Sequence, residues 1–258
     1  MSRHLLACLL VLSLPGGFSR QSQRQPAPTI AAAANLNFAL TEVAAAFEEK
    51  TGSRVGLVFG ASGTLTRQIQ DGAPFEVFLA ADEEFPNRLA GAGLTRDGGV
   101  VYATGRLVIF APAGSPLKPD GQLEGLARIV KAGKPGRFAI ANPDVAPYGR
   151  AAEAVLRKHG LWDTLRSNLV LGDSVAQAAQ FAVTGNAVGG LIAYSLALTP
   201  EVAARGTHAI IPDADYPPLL QRMVLLKRAG PVAAQFYAFV QSGAAKTILQ
   251  KHGFAVPQ

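Results

Sequence analysis

The chain is short of cysteine, of charge and of long apolar runs, and each shortage removes a class of function. Its single cysteine, Cys8, lies inside an apolar stretch near the N-terminus. The rest of the chain therefore has no disulfide framework and no thiolate metal site. A transmembrane helix needs about 20 consecutive apolar residues, and no stretch of the sequence reaches that length. Charged residues make up only 16% against 49% hydrophobic, which excludes a disordered polymer and fits a well-buried α/β protein. Lys and Arg never run longer than two, so no nucleic-acid patch is evident. Walker A, G-x-G-x-x-G and H-x-x-x-H patterns are missing too, so nucleotide and zinc chemistry lack a carrier.

What is present begins with an export signal. Arg3 and His4 precede an apolar run from Leu5 to Leu14, and Pro15-Gly16-Gly17 ends it. A short basic region, an h-region of about ten residues and a helix-breaking exit read as a signal peptide. Cleavage is expected after Ser19 or within Ser22–Pro28, so residues 1–27 are assigned to signal and leader. A lipid anchor at Cys8 does not fit, because the apolar run follows that cysteine instead of preceding it. Losing Arg3, Arg20 and Arg24 lowers the formal charge from +6 to +3, which suits an anion but argues little by itself.

From Pro28 onward, short apolar strands alternate with amphipathic helices, the pattern of an α/β fold. Thr29–Ala33 predicts a strand, and Leu36, Ala39, Leu40, Val43, Ala44 and Phe47 predict a helix closed by Thr51-Gly52. Further strands are expected at 55–59, 75–80, 138–141, 169–171, 188–193 and 223–227, with a longer β run at 102–111 interrupted at Gly105. Asp82 is placed to cap the helix bearing Phe85 and Leu89. Four places share one construction: a strand, a turn of small residues, then a helix start. They are Ala33-Ala34-Asn35, Gly60-Ala61-Ser62-Gly63, Ala146-Pro147-Tyr148-Gly149 and Asp173-Ser174-Val175. The first N–H groups of a helix have no intrahelical acceptor, and the helix dipole favours negative charge there. Small side chains let that backbone approach a ligand closely, so the four turns together form a candidate oxyanion site. Taken singly, Asn35, Ser62 and Ser174 fit plain N-caps, Tyr148 a surface tyrosine and Val175 a core residue.

The series resembles the periplasmic molybdate-binding proteins of ABC transporters, from about Thr29 to Gln258. The stretches that carry the likeness are Ala31–Asn35, Gly60–Gly63, Gly72–Phe78 with Ala80-Ala81-Asp82, Ala141-Asn142-Pro143 with Ala146–Gly149, and Ser174–Ala178. The resemblance implies a two-lobed α/β binding protein of the periplasmic-binding-protein type, each lobe a mixed sheet flanked by helices, with a ligand cleft between them. Carried over by position, the ligand contacts are Asn35, Ser62, Tyr148 and Val175. Molybdenum would enter only as bound molybdate, or tungsten as tungstate, with no protein atom ligating the metal and no cofactor. Many family members donate a tyrosine hydroxyl from the strand after the fourth helix. Here Ala193 holds that position, and Tyr194 points to the opposite face. Many also have serine where this chain has Asn35. A subgroup pairs asparagine at the first turn with tyrosine at the third, and this chain is similar to that subgroup.

The resemblance also implies one lobe built from 28–104 plus 220–258, another from 105–219, and crossings near Gly105 and Leu219. The expected partners are the oxyanion and a membrane permease, for a monomeric periplasmic protein. Three other readings compete. Sulfate or phosphate could replace molybdate, although phosphate would favour a carboxylate acceptor, and only Asp173 offers one; a cap role suits Asp173 better. A serine hydrolase at Ser62 fails the G-x-S-x-G pattern at its last position and has no evident histidine base. A regulator's sensing domain conflicts with the export signal.

Overall fold

The computed structural model describes residues 27–185 and 187–257. The expected signal segment, with Cys8, lies outside the described residues. Among the described residues, ten strands form two five-stranded sheets. The first contains β1 (Thr29–Ala33), β2 (Gly56–Gly60), β3 (Phe75–Leu79), β4 (Val100–Gly105) and β10 (Leu219–Leu225), in the order β2-β1-β3-β10-β4. The second contains β5 (Leu107–Pro112), β6 (Phe138–Ala141), β7 (Leu169–Gly172), β8 (Gly189–Ala193) and β9 (Gly206–Ile210), in the order β7-β6-β8-β5-β9. In each sheet three parallel strands lie beside an antiparallel strand that enters from the other half of the molecule: β10 in the first, β5 in the second. Both sheets are mixed and both are flanked by helices.

The local sequence explains these elements. Parallel strands covered on both faces read as unbroken apolar runs, and Ile30, Ala31 and Ala32 of β1 are fully buried. Helix α1 (Asn37–Thr51) buries Ala39, Leu40, Val43 and Phe47 on one stripe and ends at Gly52, whose φ of 69° is the left-handed conformation of a helix stop. Phe47 meets Phe236 and Phe239 of α10 (Pro231–Val240) edge-on at 5.2 and 5.5 Å. Such ring pairs contribute about 0.5–1.5 kcal/mol each beyond area burial. Helices α2 (Ser62–Gln70) and α3 (Glu84–Gly91) cover the opposite face of the first sheet, over Phe75, Phe78 and Val224. In the second half α4 (Glu124–Lys131), α5 (Pro147–Lys158), α6 (Trp162–Leu165) and α7 (Val175–Val183) pack around a core centred on Val108, Phe110, Phe138 and Ile192. Short helices α8 (Tyr194–Ala197) and α9 (Pro200–Ala203) follow β8, and α11 (Gly243–Lys251) closes the chain against α1.

The expected long β run divides at Arg106 into two strands of different sheets, and the chain returns between β9 and β10. A hydrogen bond ties the two crossings together. The Leu107 N–H donates to the Tyr216 hydroxyl at 3.1 Å, and that hydroxyl donates to the Asp213 carboxylate at 3.1 Å. Burial pushes Tyr216 up to about 12, so it stays protonated in this role. Strand β10 starts at Leu219, four residues before the expected run, because Leu219 and Gln221 are buried with Met223 in the same alternation. Strand β9 and helix α4 were not anticipated. Among the described residues, no helix is long and apolar enough to cross a membrane.

Candidate ligand-binding site

The four small-residue turns meet at one point. Asn35, Ser62, Tyr148 and Val175 line a single cavity of about 10 Å³, together with Ala33, Ala34, Gly60, Ala61, Ala81, Ala146 and Pro147. It lies at the carboxyl ends of β1, β2, β6 and β7, where open α/β sheets bind ligands. Among the described residues, no charged side chain lines it. The four named residues are each 4% exposed or less, so solvent does not reach them in this conformation.

Each turn presents backbone donors for a physical reason. Ser62 is the first residue of α2 and Val175 the first of α7; Tyr148 follows Pro147 at the start of α5. Proline suits that first position because its missing N–H is one that would be unpaired anyway. The caps Ala61 and Ala146 are extended and have no side chain able to accept the helix's free N–H groups. Among the described residues, no acceptor is bonded to the N–H of Ser62, Tyr148 or Val175. Asn35 is the second residue of a 3-10 turn at Ala34–Leu36 and stands one residue before Leu36, the cap of α1.

The side chains refine the expectation. Ser62 is not a cap: its Oγ accepts from the Ala81 N–H at 3.0 Å, which leaves its own proton free to donate. Ser174, by contrast, is a true cap and accepts from the Gln177 N–H at 3.3 Å. The expected cap at Asp173 is thereby corrected. Asp173 is exposed and outside the cavity, because the extended residue next to the first turn is Ser174. Asp82 accepts from the Phe85 N–H at 3.3 Å, as a cap would. Tyr194 lies outside the cavity and stacks obliquely on His208, with ring centroids 5.6 Å apart. The other two described histidines are also engaged away from Ser62, His159 with Asp215 and His252 with Glu42.

The Tyr148 hydroxyl turns back into the protein. It lies 3.5 Å from Asn35 Nδ2 and 3.4 Å from Gln221 Nε2. Burial holds both Tyr148 and Tyr102 well above the ordinary phenol range, so both remain neutral. Gly105 makes room for this cluster. A Cβ there would come 2.3 Å from the Tyr148 hydroxyl and 2.5 Å from Gln221 Nε2. Gln221 is the residue that sequence reasoning missed. The signal was the strand alternation Leu219, Gln221, Met223, which places a lone amide on a buried face.

Several contacts join the two halves around the cavity. The Gly63 N–H donates to the Val145 carbonyl at 2.9 Å, and the Ser195 hydroxyl to the Asn35 carbonyl at 2.8 Å. Arg150 of α5 forms an ion pair with Asp82, lies 3.5 Å from Glu84, and sits 5.0 Å from the centroid of the Phe85 ring. Desolvation raises Asp82 to about 6 despite the opposing pull of Arg150.

The family described as bacterial extracellular solute-binding protein matches residues 28–255. The chain is 35% identical to the molybdate-binding protein of Azotobacter vinelandii over 250 residues, covering 96% of this chain and 97% of that one. Against the molybdate-binding protein of Rhodobacter capsulatus it is 39% identical over 227 residues, with 87% and 86% covered. The solved periplasmic molybdate-binding protein of Azotobacter vinelandii superposes with a TM-score of 0.80 at 32% identity, covering 90% of this chain and all of that one.

Proposed function

The chain belongs to the bacterial extracellular solute-binding proteins, and from that premise we propose that it captures molybdate, and tungstate with it, for import by an ABC transporter. As a solute-binding protein it is not an enzyme, and the oxyanion is cargo. The observation that carries the reading is the cavity itself: four buried helix or turn starts supply N–H donors, and no charged side chain among the described residues lines it. A fully deprotonated tetrahedral dianion can only accept hydrogen bonds, so an array of neutral donors matches all of its oxygens. Each such bond to a charged acceptor contributes about 1.5–3 kcal/mol. Discrimination from sulfate would come from size, because metal–oxygen bonds are longer than sulfur–oxygen bonds and a backbone-lined cavity resists compression.

In this reading the donors are the Ser62 amide and hydroxyl, the Tyr148 and Val175 amides, and Asn35. The sheets on either side of the Arg106 and β9–β10 crossings act as two lobes, residues 28–104 with 220–258 and residues 105–219, which part to admit the ligand and close over it. The closed pair would then be the form that docks on the membrane permease, as a monomer free in the periplasm after loss of the signal segment. Sulfate and phosphate are the competing cargoes. For phosphate, no carboxylate among the described residues lines the cavity to accept its remaining proton.

Thermal unfolding with different oxyanions tests this. At about a hundredfold excess over Kd a ligand adds ~2.7 kcal/mol to stability, which raises the Tm of a domain this size by roughly 5–10 °C. Molybdate and tungstate at micromolar levels are expected to give that shift, and equal sulfate none. A shift with sulfate alone would replace molybdate by sulfate as the cargo.

A further inference from the structure

The cluster of Asn35, Gln221, Tyr148 and Tyr102 contains a hydrogen-bond imbalance that identifies what Gln221 does. Asn35 Nδ2 lies 3.1 Å from Gln221 Oε1, Gln221 Nε2 lies 3.4 Å from the Tyr148 oxygen, and the Tyr102 oxygen lies 2.9 Å from both Gln221 Oε1 and the Ala80 carbonyl. Counted in protons, this arrangement fails in three places. Asn35 Oδ1 is buried with no partner among the described residues. The Tyr148 proton meets only donors, namely the two amide nitrogens. The one proton of Tyr102 faces two acceptors.

The oxygen and nitrogen of a carboxamide occupy interchangeable positions, and the hydrogen-bond network decides between them. Exchanging both amides removes the two tyrosine faults without moving a heavy-atom position, and leaves at Asn35 an unpartnered donor in place of an unpartnered acceptor. Tyr102 then donates to the Ala80 carbonyl and accepts from Gln221 Nε2. The second Nε2 hydrogen goes to Asn35 Oδ1, and Tyr148 donates to Gln221 Oε1. The one position left over is Asn35 Nδ2, a donor, on a residue that lines the cavity.

We propose that Gln221 is a positioning residue that locks the Asn35 carboxamide with its nitrogen toward the cavity, and so keeps the site donor-only and closed to oxyanions that carry a proton. The lock spans the cleft. Gln221 and Tyr102 come from the first sheet, and Tyr148 from the helix after β6. The orientation follows from the protein alone, whereas its consequence for selectivity rests on the oxyanion site proposed above. A reversed amide would place an acceptor oxygen against the ligand. That would repel a dianion and accept from hydrogen phosphate.

Two measurements decide it. In the ligand-free protein with labelled glutamine side chains, the Gln221 NH2 protons are expected to show their stronger nuclear Overhauser contact to the Tyr102 ring. A stronger contact to Tyr148 overturns the orientation, and this readout needs neither ligand nor variant. Calorimetry then follows molybdate and hydrogen phosphate in Gln221→Leu, which removes the amide and leaves a branched apolar side chain in the strand. Molybdate affinity is expected to fall about tenfold and the preference over phosphate to narrow. In an Asn35→Ala background, the same Gln221→Leu change is expected to alter affinity less than about twofold, because the group it positions is gone. An equal loss in both backgrounds would make Gln221 a packing residue only. If the wild-type protein bound no oxyanion but showed the Tyr102 contact, the proposed cargo would fail and the amide lock would stand.

Discussion

Removing one oxygen atom tests the binding geometry most economically. In Ser62→Ala the lost Oγ has two jobs that can be measured separately. Toward the protein it accepts the Ala81 N–H at 3.0 Å, in a fully buried place. Its loss leaves that N–H unpaired, which costs about 1–3 kcal/mol of folding stability. Toward the cavity its proton is bonded to no acceptor among the described residues and is available to a bound anion. A hydrogen bond to a charged acceptor is worth about 1.5–3 kcal/mol, so molybdate affinity should drop roughly tenfold to a hundredfold. Urea unfolding of the ligand-free protein reports the first effect, and isothermal calorimetry with molybdate reports the second. Lower stability with unchanged affinity would refute the argument, because it would reduce Ser62 to a brace for Ala81.

Three further variants probe other parts of the account. Val175→Pro removes an amide donor at a first-turn position that proline tolerates, after Ser174, which is already extended at φ −144° and ψ 168°. Molybdate affinity should fall by about 1.5–3 kcal/mol while stability changes by less than ~1 kcal/mol, and unchanged affinity would place the ligand away from α7. Asp82 is raised from 3.8 to about 6 in the folded protein, chiefly by desolvation. Its contribution to stability is therefore complete below about pH 4 and is lost as pH rises through about 6, a change on the order of 3 kcal/mol. Asp82→Asn should flatten that part of the urea-unfolding profile, and an unaltered slope would assign the pH dependence to another group. Tyr194→Phe should leave molybdate affinity within about twofold, since the ring packs on His208 outside the cavity. A large loss there would move the site to the end of β8.

The legible part of this protein was local. Gly60-Ala61-Ser62-Gly63 and Ala146-Pro147-Tyr148-Gly149 announce a strand end, a close turn and a helix start within four residues, and the family resemblance implies that such turns converge. The same reasoning could not say which residue caps each helix. Ala61 and Ala146 occupy two cap positions without a side chain that can accept, which leaves the first amides uncapped, while the cap at α7 is Ser174 and not Asp173. Pairings across the cleft were beyond reach for another reason: the partners are far apart in sequence. Asn35 and Gln221 are separated by 186 positions, and Arg150 and Asp82 by 68. Gln221 was visible only as a polar break in an apolar strand, and the meaning of that break depended on Tyr148 arriving from the other half of the molecule. The missed strand β9 is an edge strand with exposed Thr207 and Ile210, so its burial alternation is weak.

The central claim is that rigid neutral donors select a large, fully deprotonated oxyanion, and calorimetry on the ligand-free protein tests it most directly. Molybdate is titrated first, then sulfate and phosphate into separate samples under the same conditions. The account predicts tight binding of molybdate with sulfate and phosphate weaker by at least about a hundredfold, a difference of ~2.7 kcal/mol. Equal affinity for sulfate, or no heat with any of the three, would contradict it.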